Sequence, residues 1–148
     1  MMLIIFLTSL GCKKEGEQVS IHLRLTYGGE PMVMTQEYAY PDGKTFLATK
    51  VSMYLSDISL EGNDKSLAIA DVAFINLSES HRTAESATEG YVLYDEKVDL
   101  GRINTLHFNI GLTPEQNRTV PADHPSNSPL AMPGEYWLAW DSYIFFKI

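Results

Sequence analysis

Val19-Ser20-Ile21-His22-Leu23-Arg24-Leu25-Thr26-Tyr27 decides the fold class of this chain. Apolar side chains at Val19, Ile21, Leu23, Leu25 and Tyr27 alternate with polar ones, the repeat of a strand with one buried face and one wet face. A helix would need apolar positions three and four apart. Working outward, Gly28-Gly29-Glu30-Pro31 ends the strand in a turn, residues 32–40 read as extended, and Pro41-Asp42-Gly43-Lys44 turns again. Residues 46–60 read as a long β segment with Val51, Met53, Leu55 and Ile58 toward the core. The alternation slips between Leu55 and Ile58, which predicts a bulge or bend near Ser56-Asp57. Beyond a turn at residues 61–65, residues 67–77 continue in strand register with Val72 and Phe74 buried and Ile75 a further candidate.

Residues 78–90 are rich in Ser, Thr, Glu and Ala and read as a solvated loop or a short helix. Two more strands follow at residues 91–100 and 103–110, joined by Gly101-Arg102. In the second, Leu106, Phe108 and Ile110 face one side, and His107 and Asn109 the other. Residues 113–133 are Pro-rich and irregular, and irregular stretches of that length in a small domain are more often functional than incidental. The last segment, residues 135–148, reads as an aromatic-dense strand. With no internal repeat, no linker and no sustained helical period, the expected architecture is a single all-β domain, an antiparallel β-sandwich. The segment Tyr143-Ile144-Phe145-Phe146-Lys147-Ile148 stops inside an apolar strand, which predicts that one or more C-terminal strands are missing.

The chain opens Met1-Met2-Leu3-Ile4-Ile5-Phe6-Leu7-Thr8-Ser9-Leu10-Gly11-Cys12 and then turns polar at Lys13-Lys14-Glu15. That apolar run is about half of the ~20 residues a membrane span needs, and it suits the core of a signal peptide. Small residues ahead of a lone Cys resemble a bacterial lipobox, in which the Cys is acylated and becomes the mature N-terminus. The expected organisation is a lipoprotein signal peptide at residues 1–11, a lipidated Cys12 with a polar tether at residues 12–18, and the β domain at residues 19–148. Such a chain belongs in the bacterial cell envelope, as an outer-membrane lipoprotein facing the periplasm or the cell surface.

Composition removes other classes. Among 148 residues, 11 Lys and Arg face 19 Asp and Glu, a net charge of −8, so the basic patch that nucleic acid requires is missing. One Cys allows neither an intrachain disulfide nor a Cys-rich zinc site. The sequence holds no nucleophile elbow, phosphate-cradling Gly-rich loop or helical His-Glu pair, so no enzymatic activity is expected. Acidic neighbours such as Asp95-Glu96 read as solvated. No two of His22, His81, His107 and His124 have ligand spacing, so any metal site must be assembled by the fold. His22 and His107 fall on the polar sides of strands, His124 falls in the Pro-rich loop beside Asp123, and His81, in the Ser/Thr-rich stretch, receives no role. Met32, Met34, Met53 and Met132 are spread out and read as core filling. Both Trp of the chain, Trp137 and Trp140, lie close to Tyr136 and Tyr143, and their plain structural role is a packed aromatic core.

Four ordered motifs carry a resemblance. Gly29-Glu30-Pro31-Met32 is a Gly-x-Pro turn, Tyr54-Leu55-Ser56-Asp57-Ile58-Ser59-Leu60 is a Tyr-Leu-Ser-Asn/Asp-Ile-x-Leu segment, Phe108-Asn109-Ile110-Gly111-Leu112 closes a strand on Asn-Ile-Gly, and residues 137–147 approximate a Trp-x-Trp, Tyr-Ile-Phe-x-Lys ending. Together they resemble the MbnP-like proteins. Ser142 stands where those proteins carry Gly, and Glu135 where they carry Met. The resemblance implies a periplasmic or surface β-sandwich that binds copper. It also implies oxidation of a Trp to kynurenine by a di-haem peroxidase-like partner, a change that turns a donor-only ring into an amine and a ketone able to ligate. Trp137 or Trp140 would be the modified residue, with His22, His107 or His124 as candidate imidazole ligands. The alternative is a metal-free, lipid-anchored adhesion or carbohydrate-contact module that uses its aromatics and its long Pro-rich loop.

Overall fold

The computed structural model describes residues 16–63 and 65–148, so the signal segment and Cys12 lie outside the described residues. Strand β1 (Glu17–Leu23) is followed by two minimal ladders, β2 (Thr26–Tyr27) with β3 (Glu30–Pro31) and β4 (Tyr38–Ala39) with β5 (Thr45–Phe46). The long hairpin of β6 (Ser52–Gly62) and β7 (Ser66–Asn76) forms the spine. Helical turns α1 (Leu77–Ser80) and α2 (Ala84–Glu89) lead to β8 (Tyr91–Val98) and β9 (Ile103–Ile110). The Pro-rich stretch begins with the single turn α3 (Pro114–Asn117) and continues through 3-10 turns at Pro121–Asp123, Pro129–Ala131 and Pro133–Glu135. Two-residue strands β10 (Tyr136–Trp137), β11 (Ser142–Tyr143) and β12 (Phe146–Lys147) end the chain.

These strands make an antiparallel sandwich. One layer pairs β1 with β8, and the other pairs β6 with β7 on one side and with β9 and β12 on the other. The junction between β9 and β12 falls at Tyr54, whose carbonyl accepts from Gly111 N–H at 2.8 Å and whose N–H donates to the Phe145 carbonyl at 3.0 Å. Between the layers lie Val51, Leu55, Ile58 and Ile75 with Met32, Met34 and Leu77, against which Leu23, Leu25, Met53 and Leu93 pack. A second inner cluster joins Leu60, Val98 and Leu100 to Val19, Ile21 and Tyr94. Alternation in β1 and β6 thus places the residues their sequence period assigns.

The expected bulge is present. Asp57 lies at φ +52°, and the β6–β9 register jumps between Ser56 and Ser59. Asn and Asp tolerate this left-handed conformation because a short polar side chain bonds locally, and here Asn109 Nδ2 donates to Asp57 Oδ2 at 2.8 Å. The bulge returns Ile58 and Leu60 to the inner face after Ser56 has faced out.

Two expectations change. Residues 46–60 are not one strand, because the extended ladder starts only at Ser52, after Ala48 N-terminal to it has accepted from Thr35 N–H and Val51 has turned its N–H to Ser78 Oγ. Residues 135–148 do not form one strand either. A 3-10 turn at Leu138–Trp140 and Asp141 at φ +46° fold them into a β10–β11 hairpin. That hairpin and the Pro-rich turns cover the outer face of the larger sheet, where Tyr54, Leu130 and Tyr143 are buried with Phe74, Leu112, Met132 and Tyr136 around them.

Candidate functional site

His22 belongs to β1 at a register shift between Ile21 and His22, which rolls its ring to the strand edge. There His22 Nδ1 lies 2.9 Å from the Glu89 carbonyl at the end of α2, and Arg24 Nε donates to the same oxygen at 3.4 Å. A carbonyl only accepts, so Nδ1 carries a proton. Pinning one ring nitrogen on a backbone carbonyl is how proteins orient metal-binding imidazoles. His22 also lines an apolar groove of about 330 Å³ together with Leu23, Leu25, Met53, Leu106 and Phe108. The groove lies where β1 and β9 face each other across the open side of the sandwich, and Phe108 in its lining is 46% exposed. On the wet face of the same layer Asp95 accepts from Ser20 Oγ and Gln18 Nε2, and those bonds hold its carboxyl below the usual range.

The other imidazoles have partners of their own. His107 Nε2 lies 3.1 Å from Glu61 Oε2 on the exposed outer face of β9 and β6. His124 Nε2 lies 2.7 Å from Thr119 Oγ1, and Thr119 Oγ1 donates to the Gln116 carbonyl, so His124 is tied into the Pro-rich turns. No group of three or more His, Cys, Asp or Glu side chains able to hold a metal ion forms among the described residues. Each of the three imidazoles thus has one ring nitrogen engaged, and His22 is the one that lines the apolar groove, where the thioether of Met53 is a soft donor.

The two Trp do not form a buried core. They stack face to face, centroids 4.4 Å apart and planes 18° from parallel, with Trp137 48% and Trp140 72% exposed. The tight hairpin turns both indoles outward while Tyr136 and Tyr143, in edge-to-face contact at 5.1 Å, turn in. Tyr143 meets Tyr54 at 5.8 Å, Tyr143 O–H donates to the Leu130 carbonyl at 2.8 Å, and Tyr54 O–H donates to the Pro129 carbonyl at 3.1 Å. Burial first, then the Glu135 and Tyr143 charges, push the Tyr54 phenol well above its ordinary value, so it stays a neutral donor. Glu135 is buried beneath the hairpin, where its carboxylate meets Lys147 Nζ at 2.6 Å and Lys50 Nζ at 3.5 Å.

One residue escaped the sequence reading altogether. His81 is fully buried, and the available signal was Asn76 three residues ahead of Glu79, a helix-start pattern that puts Leu77 and His81 on one face of a turn.

An all-β sandwich with an oriented imidazole and a motif-bearing aromatic hairpin defines a class without naming a member. A sequence profile of the MbnP family matches residues 16–148, and the chain belongs to that family. No curated protein and no solved structure matches it.

Proposed function

We propose that the chain is a non-enzymatic, copper-binding lipoprotein of the bacterial envelope that takes copper at His22. The observation carrying this reading is the His22 ring, fixed through Nδ1 on the Glu89 carbonyl with Nε2 directed away from that bond. An imidazole with a thioether such as Met53 is a donor pair suited to the softer, reduced state of copper, which nitrogen and sulfur bind in preference to harder divalent ions. His107 and His124 rank below it, because His107 pairs with Glu61 on the exposed outer face and His124 with Thr119 in the Pro-rich turns, while His22 lines the groove with Met53. The exposure of Trp137 and Trp140 supports modification of one of them by an external di-haem peroxidase-like partner, since an oxidant must reach the indole. Acylation of Cys12 would hold the domain at the membrane surface through the tether that precedes β1.

The test is a titration of metal-free protein with copper(I) against a chromophoric chelator. About one copper per chain is expected in wild type, ahead of zinc, with a large loss of affinity in His22→Ala and near-wild-type binding in His107→Ala and His124→Ala. Binding that is equal in all three variants, or absent from wild type, would defeat the reading. The second reading, a metal-free contact module, is favoured by the stacked and exposed indole pair. It becomes the better account if copper is not retained and Trp137→Ala with Trp140→Ala abolishes attachment to cell-surface glycans.

A further inference from the structure

His81 fastens α1 to the β1 exit and to the Met34 segment, two stretches that the β2–β3 ladder already joins to each other. Its ring nitrogen Nε2 accepts from Leu25 N–H at 2.9 Å, at the exit of β1. Nδ1 lies 3.0 Å from the Leu77 carbonyl and 2.9 Å from Ser80 Oγ. Its own carbonyl accepts from Met34 N–H at 2.8 Å. An amide N–H can only donate, so Nε2 must present a lone pair, and the proton is on Nδ1, donated to Leu77. The ring is neutral, fully buried and fully bonded.

We propose that His81 is an acid-released latch: a proton on Nε2 sets an N–H against the Leu25 N–H and frees the β1 exit and the Met34 segment from α1. No acid is placed to compensate. On the elements that meet at the ring, the charged and titratable side chains are His22 and Arg24 near the β1 exit, Glu30 on β3, Glu79 and Arg82 beside α1, and Glu85 and Glu89 on α2, all of them exposed. Arg82 and Glu79 pair with each other at 2.6 Å, and Arg24 turns to the Glu89 carbonyl. Burial pushes the imidazole below its ordinary value, and only the Leu77 carbonyl pulls the other way. For a group that is neutral when folded, the opened chain takes the proton first. The latch is therefore at full strength above the ordinary imidazole value of about 6.5 and weakens as pH falls through it, by up to about tenfold in the opening equilibrium per pH unit until the folded ring itself titrates. This device is independent of any metal.

The experiment uses 15N-labelled protein. Long-range 15N–1H correlation should show His81 as the Nδ1–H tautomer at pH 8, and the reverse tautomer would overturn the proposal. Hydrogen exchange at Leu25 and Met34, compared between variants at equal pH so that intrinsic rates cancel, then reads the latch. A His22→Gln, His107→Gln, His124→Gln triple variant should keep the steep acid response below pH 6.5 while amides of Tyr54 and Ile75 stay protected. His81→Gln, whose carboxamide oxygen accepts from Leu25 but takes no proton in this range, should flatten it. A triple variant that loses the response, or a His81→Gln protein that keeps it, would contradict the latch. Should His81→Gln fail to fold, the tautomer and the triple variant still decide.

Discussion

Strand β6 is covered on both faces, and the two covers are built differently. On its inner face Leu55, Ile58 and Leu60 meet other strands, and almost nothing but apolar area holds the layers together. On its outer face Tyr54 meets a run of 3-10 turns and a hairpin, held by tyrosine hydroxyls on the Pro129 and Leu130 carbonyls and by Glu135 between two lysines. Apolar burial is tolerant of detail, because it scales with area. A cover made of hydroxyl-to-carbonyl bonds and one buried carboxylate is specific, because each group left without its partner keeps its desolvation cost. The difference separates the roles too: the inner side opens into the groove at His22, and the outer side presents Trp137 and Trp140.

The sharpest way to break this comparison is to remove Tyr54. If the outer cover is a second core, Tyr54→Ala should cost about 3–5 kcal/mol in urea unfolding, comparable to large truncations of the inner core such as Ile75→Ala. A cost under about 1 kcal/mol would reduce the cover to a surface loop. Smaller is the effect of Lys147→Met, which leaves Glu135 with Lys50 alone. A loss of about 1–3 kcal/mol is expected, below that of a fully buried pair because Lys147 is partly exposed, and adding Glu135→Gln should recover part of it in a double-mutant cycle. At the bulge that serves both faces, Asp57→Val should lose about 1–3 kcal/mol, since a β-branched residue resists φ +52°, whereas Asp57→Gly should stay near wild type. Smallest of all, Trp140→Ala should change stability by no more than about 0.5 kcal/mol, as fits a ring that is 72% exposed.

The inner face was legible in the sequence and the outer face was not, for the same physical reason. Period-two alternation reports a strand packed on one side by others, and it fixed Val19, Ile21, Leu23, Leu55 and the slip at Asp57 correctly. Irregular turns carry no period, so residues 113–143 read only as a Pro-rich loop and an aromatic strand, and the outward turn of the two indoles depends on Asp141 adopting a left-handed conformation. His107 lies on the polar outer face that its alternation implies, whereas His22, exposed on β1, also lines an apolar groove. What distinguishes His22 is the groove that β1, β6 and β9 build around it, and no spacing rule reports that. His81 was hidden for a related reason, because its role depends on Leu25, 56 residues earlier in the chain.

The central claim is that copper is held at the inner groove through His22. X-ray absorption at the copper edge, on wild-type protein loaded with one equivalent of copper(I), tests it most directly. The account predicts a shell containing both imidazole nitrogen and sulfur, the sulfur vanishing in Met53→Leu and the imidazole scattering in His22→Ala. A sulfur-free shell that survives unchanged in His22→Ala would contradict it.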